Sequence, residues 1–306
     1  MRIILIFLVS CTLMSCSPTG IDASGDLWAT SPIYNQDSTL LIGCRVTAFK
    51  GRHFDGIIPT SVDGTKILEI KSLTHSKSIL PHPKDTSLTT IDCTNAHYLK
   101  TIGDDAFYGI SHLRKIILND GLERLENGAF ANCRNIENIV WNKEINFLGE
   151  AIFYNCDKLI TLIIPEKVDS ISAFAFYASE NIENVIFNSR VNYIGERAFA
   201  NCTKVKAINL PKSLTFIGKK AFLNHGQVST LTIPENVVEI DDQAFFNCRN
   251  LSELTVKNKT GTIIGPKTFQ SAPINISEQA VIYYPKGTNY PEMEHWKSFK
   301  AKWRAQ

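Results

Sequence analysis

Thiols and imidazoles have the widest chemistry of any side chains in this sequence, which carries eight cysteines and seven histidines. Cys202, His225 and Cys248 follow one another at intervals of 23 residues, and their types are those of a zinc site. If each interval is one turn of a stacked coil, the geometry forbids it. Two turns at ~4.8 Å each hold the sulfurs roughly 9.6 Å apart, whereas Zn–S bonds of about 2.3 Å cannot span more than ~4.6 Å. Cys133 and Cys156 lie one interval apart on the same grid, a Cα separation within disulfide range but with parallel Cβ vectors that make the torsion awkward. The expectation for Cys133, Cys156, Cys202 and Cys248 is buried free thiols, at a position where Ile110, Ser179, His225 and Ala272 show that small or apolar groups fit. His53, His75, His82 and His97 fall near the N-terminus without a ligand motif such as H-E-x-x-H. There is no G-x-S-x-G elbow, P-loop, G-x-G-x-x-G or paired-cysteine motif. The chemistry therefore points to no metal, no cofactor and no enzyme.

The grid that places the cysteines runs through the chain. Phe107, Phe130, Phe153, Phe176, Phe199, Phe222 and Phe245 are spaced by 23, and Phe269 follows after 24. Alanine precedes most of them. Six, nine and eleven residues after each Phe come apolar sets such as Leu113/Ile116/Leu118, Leu159/Leu162/Ile164 and Leu251/Leu254/Val256. These L-x-x-I-x-L segments predict one strand per turn of a solenoid, because a single coil cannot bury its own apolar edge and must stack on its neighbours. A second apolar pair, as in Leu122/Leu125 or Leu214/Ile217, predicts a short second strand on the opposite side. Gly103, Gly149, Gly195 and Gly218 come just after it, where positive φ would suit a tight turn. The Ala-Phe segment reads as one helical turn, and Pro165, Pro211 and Pro234 end three main strands. Asn132, Asn155, Asn201, Asn224 and Asn247 read as a turn ladder serving backbone groups.

Segments such as Lys204–Phe222, with Ile-Gly and Ala-Phe elements and with Asn-Cys recurring elsewhere, resemble the BspA-type leucine-rich repeat, common in surface and secreted proteins of Bacteroidetes and treponemes. The resemblance implies a mainly β, right-handed α/β-type repeat solenoid over residues 88–269, with a helical turn in each repeat. Residues 39–87 would form an N-terminal cap with a hairpin at 39–50 and a degenerate first repeat. Residues 270–306 resemble a strand-and-helix cap in which Met293, Trp296, Phe299 and Trp303 form the buried face.

The chain opens Met1-Arg2, runs through Ile3–Val9 and reaches Leu13-Met14-Ser15-Cys16, a charged start, a short apolar stretch and a small residue before cysteine. It resembles a lipobox, which implies a signal over 1–15, a diacylglycerol on Cys16, and a polar tether over 16–38. Leu8-Val9-Ser10-Cys11 also fits the short pattern, and an ordinary secretion signal or a retained anchor helix are the alternatives. Basic and acidic residues number 32 and 30, a formal charge of +2, so a nucleic-acid partner is not expected. The reading is a monomer in the cell envelope, held at the outer membrane on its surface or periplasmic face.

Variable positions carry the binding expectation. Ten after each Phe stand Ile117, Val140, Ile163, Ile186, Asn209, Thr232 and Thr255, which must point away from the core. With Ile160 they predict a continuous apolar stripe rimmed by Arg114, Lys115, Glu137, Glu183 and Lys206, a composition that suits a protein ligand. The alternative is that outward β-branched residues only favour strand pairing. A scaffold or binding subunit of a glycan or peptide capture system is the second reading, which aromatic platforms would favour, but Tyr108, Tyr154 and Tyr177 are the only ladder-like exposed aromatics expected; a purely structural envelope component is the third.

Overall fold

A computed structural model describes residues 19–21, 27–34, 41–49, 55–62, 64–71, 79 and 88–306. Cys16 and the segment read as a signal, residues 1–15, lie outside the described residues. The N-terminal part contributes β1 (Thr19–Ile21), β2 (Leu27–Tyr34), β3 (Leu41–Phe49), β4 (Ser61–Val62) and β5 (Thr65–Ile70). Main and second strands then alternate: β6 (Thr90–Asp92), β7 (Thr101–Ile102), β8 (Lys115–Ile117), β9 (Arg124–Leu125), β10 (Asn138–Val140), β11 (Phe147–Leu148), β12 (Thr161–Ile163), β13 (Ser170–Ile171), β14 (Asn184–Ile186) and β15 (Tyr193–Ile194). After them come β16 (Phe216–Ile217), β17 (Thr230–Ile233), β18 (Glu239–Ile240), β19 (Glu253–Val256), β20 (Ile263–Ile264), α1 (Pro273–Ile276), β21 (Val281–Tyr284) and β22 (Lys302–Ala305). The fold is a mainly β parallel solenoid, as the period predicts.

Strands of successive turns pair in parallel and in register, for example Ile116 with Ile139 and Ile194 with Ile217. The inward residues and the Phe column fill one continuous core. Phe107 through Phe269 are buried, and each ring stacks on the next at 5.2–5.9 Å between centroids.

The Ala-Phe segment is not a helical turn. Its backbone alternates, with positive φ two residues before and two after Phe, as at Ala151 and Asn155 around Phe153. That alternation sends every second N–H to the next turn, as in Phe153 N to Ala175 O (2.8 Å) and Asn155 N to Tyr177 O (2.8 Å). A helix would spend these donors within one turn and leave the stack unpaired. Gly103, Gly149, Gly195 and Gly218 are not among the positive-φ residues either. Their reason is close approach: a Cβ on Gly149 would meet Asn127 N at 2.5 Å, and one on Gly218 would meet Gly195 C at 2.7 Å.

Both ends differ from expectation in the same way. The stretch read as a tether supplies β1 and β2, and β2 rather than residues 39–50 alone makes the antiparallel hairpin with β3. Trp28 is buried in it. Since β3 also pairs in parallel with β5, this hairpin covers a sheet edge that would otherwise be open. At the C-terminus a 3-10 turn (Tyr290–Glu292) and β22 stand where a helix was expected, and β22 pairs in parallel with β21. The aromatic stripe does pack inward: Trp296 is buried, and Met293, Phe299 and Trp303 lie against the core. Among the described residues no helix is long and apolar enough to cross a membrane.

Candidate binding face

The expected outward positions are where the repeat puts them. Register sets Val140 beside Ile117 and Ile163 beside Ile186, with Thr232 beside Thr255 further on. Val140 (41%), Ile160 (56%), Ile163 (52%) and Ile186 (52%) are strongly exposed, while Ile117 is half-buried. The rim residues pair along the solenoid axis: Arg114 with Glu137 at 2.8 Å and Lys206 with Glu183 at 2.7 Å. The hydrogen bond and charge of Lys206 hold the Glu183 carboxyl below its usual range. Lys115 is exposed on the same face. Exposed pairs of this kind contribute little to stability, so this rim leaves the face polar without bracing it.

The stripe is not continuous, however. The main sheet is broken into β6-β8-β10, β12-β14 and β17-β19-β21-β22, with a single bridge from Ile208 to Leu231. Between β10 and β12 lies a cleft of about 320 Å³, lined by Glu137–Ile139, Trp141 and Leu159–Ile163. The cause is local. Eleven after Phe most turns carry Leu, Ile or Val, but Trp141 and Phe187 stand there, each edge-on to the next turn's Phe: Trp141 to Phe153 at 6.0 Å and Phe187 to Phe199 at 5.7 Å. Each main-sheet break follows one of these two aromatics, which are too large for the ordinary spacing. Ile139 and Val185, the inward residues of those two strands, are only half-buried as a result.

The cysteines are occupied in the core. Cys133 Sγ donates to Phe107 O (3.0 Å), Cys156 Sγ to Phe130 O (3.4 Å) and Cys202 Sγ to Phe176 O (3.2 Å), and Ser179 Oγ does the same to Phe153 O (3.0 Å). Between the apolar Ile110 and Ala272 at its two ends the column thus favours a hydrogen-bond donor, which the reading as small or apolar missed; the alternation of Cys with Ser was the available signal. Cys133 and Cys156 are free thiols. Burial pushes the Cys133 and Cys248 thiols up to about 12, which leaves them unreactive. His225 stands in this column with Nδ1 3.0 Å from Phe222 O and Nε2 buried without a partner.

The asparagines two after Phe adopt positive φ, but their side chains serve one another rather than the backbone: Asn224 Nδ2 donates to Asn201 Oδ1 (2.6 Å) and Asn247 Nδ2 to Asn224 Oδ1 (2.7 Å). A second asparagine set escaped the sequence reading. Asn119, Asn142, Asn188 and Asn258 follow main strands, and Asn142 and Asn188 reach back to two carbonyls of the preceding turn. Their signal is that they alternate with Pro165, Pro211 and Pro234 just after the strand. Tyr154 and Tyr177 stack face to face at 5.1 Å, so each covers a face of the other.

A sequence model described as "BspA type Leucine rich repeat region" matches in six copies over residues 84–203 and 169–281. The chain belongs to the BspA-type leucine-rich repeat family. Among solved structures, this BspA-type chain is similar to a leucine-rich repeat protein from Bacteroides ovatus, at 18% identity and a TM-score of 0.57, covering 90% of this chain and 75% of that one. It is also similar to a leucine-rich cell surface protein from Faecalibacterium prausnitzii, at 17% identity and a TM-score of 0.57, covering 94% and 95%. At such identities these likenesses speak to the fold. A comparison with curated proteins finds no match. BspA-type repeats form a scaffold of the kind that generally binds proteins, and this chain spends its constant positions on packing.

Proposed function

We propose that this chain is a lipid-anchored, extracytoplasmic binding protein, tethered through Cys16, whose main-sheet face engages another protein. The observation that carries the reading is the exposure of Val140, Ile160, Ile163 and Ile186 together on one face, rimmed by ion-paired Arg114, Glu137, Glu183 and Lys206. Apolar side chains cost free energy in water, and a polar-rimmed group of them suits a protein contact. Stacked Tyr154 and Tyr177 offer few free ring faces, which favours a protein over a glycan.

Protease shaving of intact cells, beside a Cys16→Ala strain and a periplasmic control, tests the address. Release from intact wild-type cells, with the Cys16→Ala protein no longer held by the envelope, supports surface display. Protection until the outer membrane is lysed overturns adhesion and directs the search to periplasmic partners. For the face itself, a photocrosslinking residue at position 163 is expected to capture one discrete protein, and Ile160→Asp is expected to abolish that capture without lowering the melting temperature. Capture that survives Ile160→Asp would move the site elsewhere.

A further inference from the structure

The cleft between β10 and β12 is a pair of facing strand edges with unmade hydrogen bonds. On its N-terminal side, Glu137 N donates to Arg114 O (2.8 Å) and Leu118 N to Val140 O (3.2 Å). On its C-terminal side, Glu183 N donates to Ile160 O (2.9 Å) and Ile164 N to Ile186 O (3.0 Å). The equivalent bonds across the cleft, Ile160 N to Glu137 O and Trp141 N to Ile163 O, are absent from the described residues, as is any ladder between the two strands. The opening is hinged, because the turn side stays closed: Phe130 N reaches Ile152 O (3.1 Å) and Asn132 N reaches Tyr154 O (2.7 Å). Strand edges with free donors and acceptors are complementary to a peptide backbone.

Charge marks the same level. Seven after Phe, the axial column reads Arg114, Glu137, Ile160, Glu183, Lys206. Glu183 and Lys206 form an ion pair across the later break, whereas at the cleft the residue after Glu137 in this column is Ile160. Glu137 meets Arg114 through Oε1 and itself lines the cleft, where no basic side chain of this chain stands among the lining residues.

We propose that this cleft takes an extended polypeptide segment of a protein partner, inserted as a strand between β10 and β12, with alternating apolar residues inward and a basic residue against Glu137. The inference rests on the protein-binding reading of this face and names its mode. A suitable probe is a synthetic peptide with the sequence of residues 203–211, which carries Lys206 at the required place in a Val-x-x-Ile-x-Leu frame. Bound to the full chain, it is expected to slow amide exchange at Trp141, Ile160, Thr161 and Ile163 by about tenfold or more and to leave Ile116 unchanged. Backbone N-methylation of the peptide removes its donors, and Glu137→Gln removes its ion pair; each is expected to weaken binding about tenfold or more, as loss of several bonds or a charge pair does. Trp141→Leu, which replaces the wedge by a residue the column holds elsewhere, is expected to close the cleft and abolish binding while the outward aliphatic residues stay in place. Equal binding of methylated and unmethylated peptide would overturn insertion and leave plain contact with the stripe standing. Equal slow exchange at Trp141 and Ile116 in the free protein would show the edges already paired and overturn it as well. Binding that survives Trp141→Leu but fails in Ile163→Asp would likewise keep the face and discard the cleft.

Discussion

Cys133, Cys156, Ser179, Cys202 and Cys248, each three residues after a phenylalanine, tie their turn to the Phe carbonyl of the turn before, and His225 fills that slot with a ring too large to reach it. Its Nδ1 turns to Phe222 O within its own turn, and its Nε2 is left buried and unsatisfied. Burial disfavours the charged imidazole and lowers its pKa from 6.5 to about 4. The folded chain therefore holds fewer protons than the unfolded chain between those values. Above pH 6.5 His225 is neutral in both states and costs nothing on this account. As pH falls from about 6.5 towards 4 the unfolded state takes up the proton first, and stability is lost, by about 3 kcal/mol once both states are charged. His225→Ser places at 225 the hydroxyl that Ser179 already uses. Urea unfolding at pH 7 and pH 4 is expected to show a smaller acid loss in the variant than in the wild type, whatever cavity the smaller side chain leaves. Equal losses would show that the acid sensitivity lies elsewhere. At the same scale, Cys133→Ala leaves Phe107 O without its donor and is expected to cost about 1–3 kcal/mol, with Cys133→Ser closer to wild type in thermal melts.

At the scale of the element, the turns approach so closely that glycine is set by contact. Ala at 218 would push a methyl into the backbone of Gly195 and Glu196, whereas nothing lies within 4 Å of the Cβ position at Gly226. Gly218→Ala is expected to cost about 1–3 kcal/mol by overpacking, and Gly226→Ala to stay within about 0.5 kcal/mol of wild type; similar melting points for the two would refute the close-approach account. This is also where the sequence is readable and where it stops. The 23-residue grid names every Phe, every inward strand residue and the outward places of Val140, Ile163 and Ile186, since each is fixed by contact with an identical neighbour. It does not announce β2 or β22, which form because sheet edges at β3 and β21 need covering, a demand made by the assembled solenoid. Nor does it announce the cleft, which comes from one departure, Trp141, in a column of smaller residues. The departures from the repeat, rather than the repeat, carry what is particular to this chain.

Over the whole molecule, stability is a sum of turn-to-turn interfaces, and one interface lacks strand pairing in both sheets. Between the turns of Phe130 and Phe153 the main strands are unpaired, and β11 and β13 form no ladder, with Ser172 Oγ taking the Leu148 carbonyl instead. What holds the two turns includes the turn-side backbone ladder, the Phe130–Phe153 stack at 5.7 Å, the Trp141–Phe153 edge contact, the Cys156 Sγ bond to Phe130 O and the exposed Lys167–Glu144 ion pair. Elsewhere the second sheet runs unbroken from β13 to β20, and the later main-sheet break is therefore bridged. Cooperative units should divide at the weakest interface, which makes the solenoid two blocks, one ending at β11 and one beginning at β12. Hydrogen exchange in rising urea is expected to release Leu122–Leu148 and Leu159–Ile194 at different concentrations in the wild type. Trp141→Leu, by letting β10 pair with β12, is expected to bring the two releases together and to raise the lower one. Coincident release in the wild type would mean that the contacts other than strand pairing carry full coupling, and the cleft would then be a surface feature without mechanical consequence. Separate release would make the same tryptophan the origin of both the cleft and the molecule's hinge, so that a strand seated there would couple binding to the stiffness of the entire array.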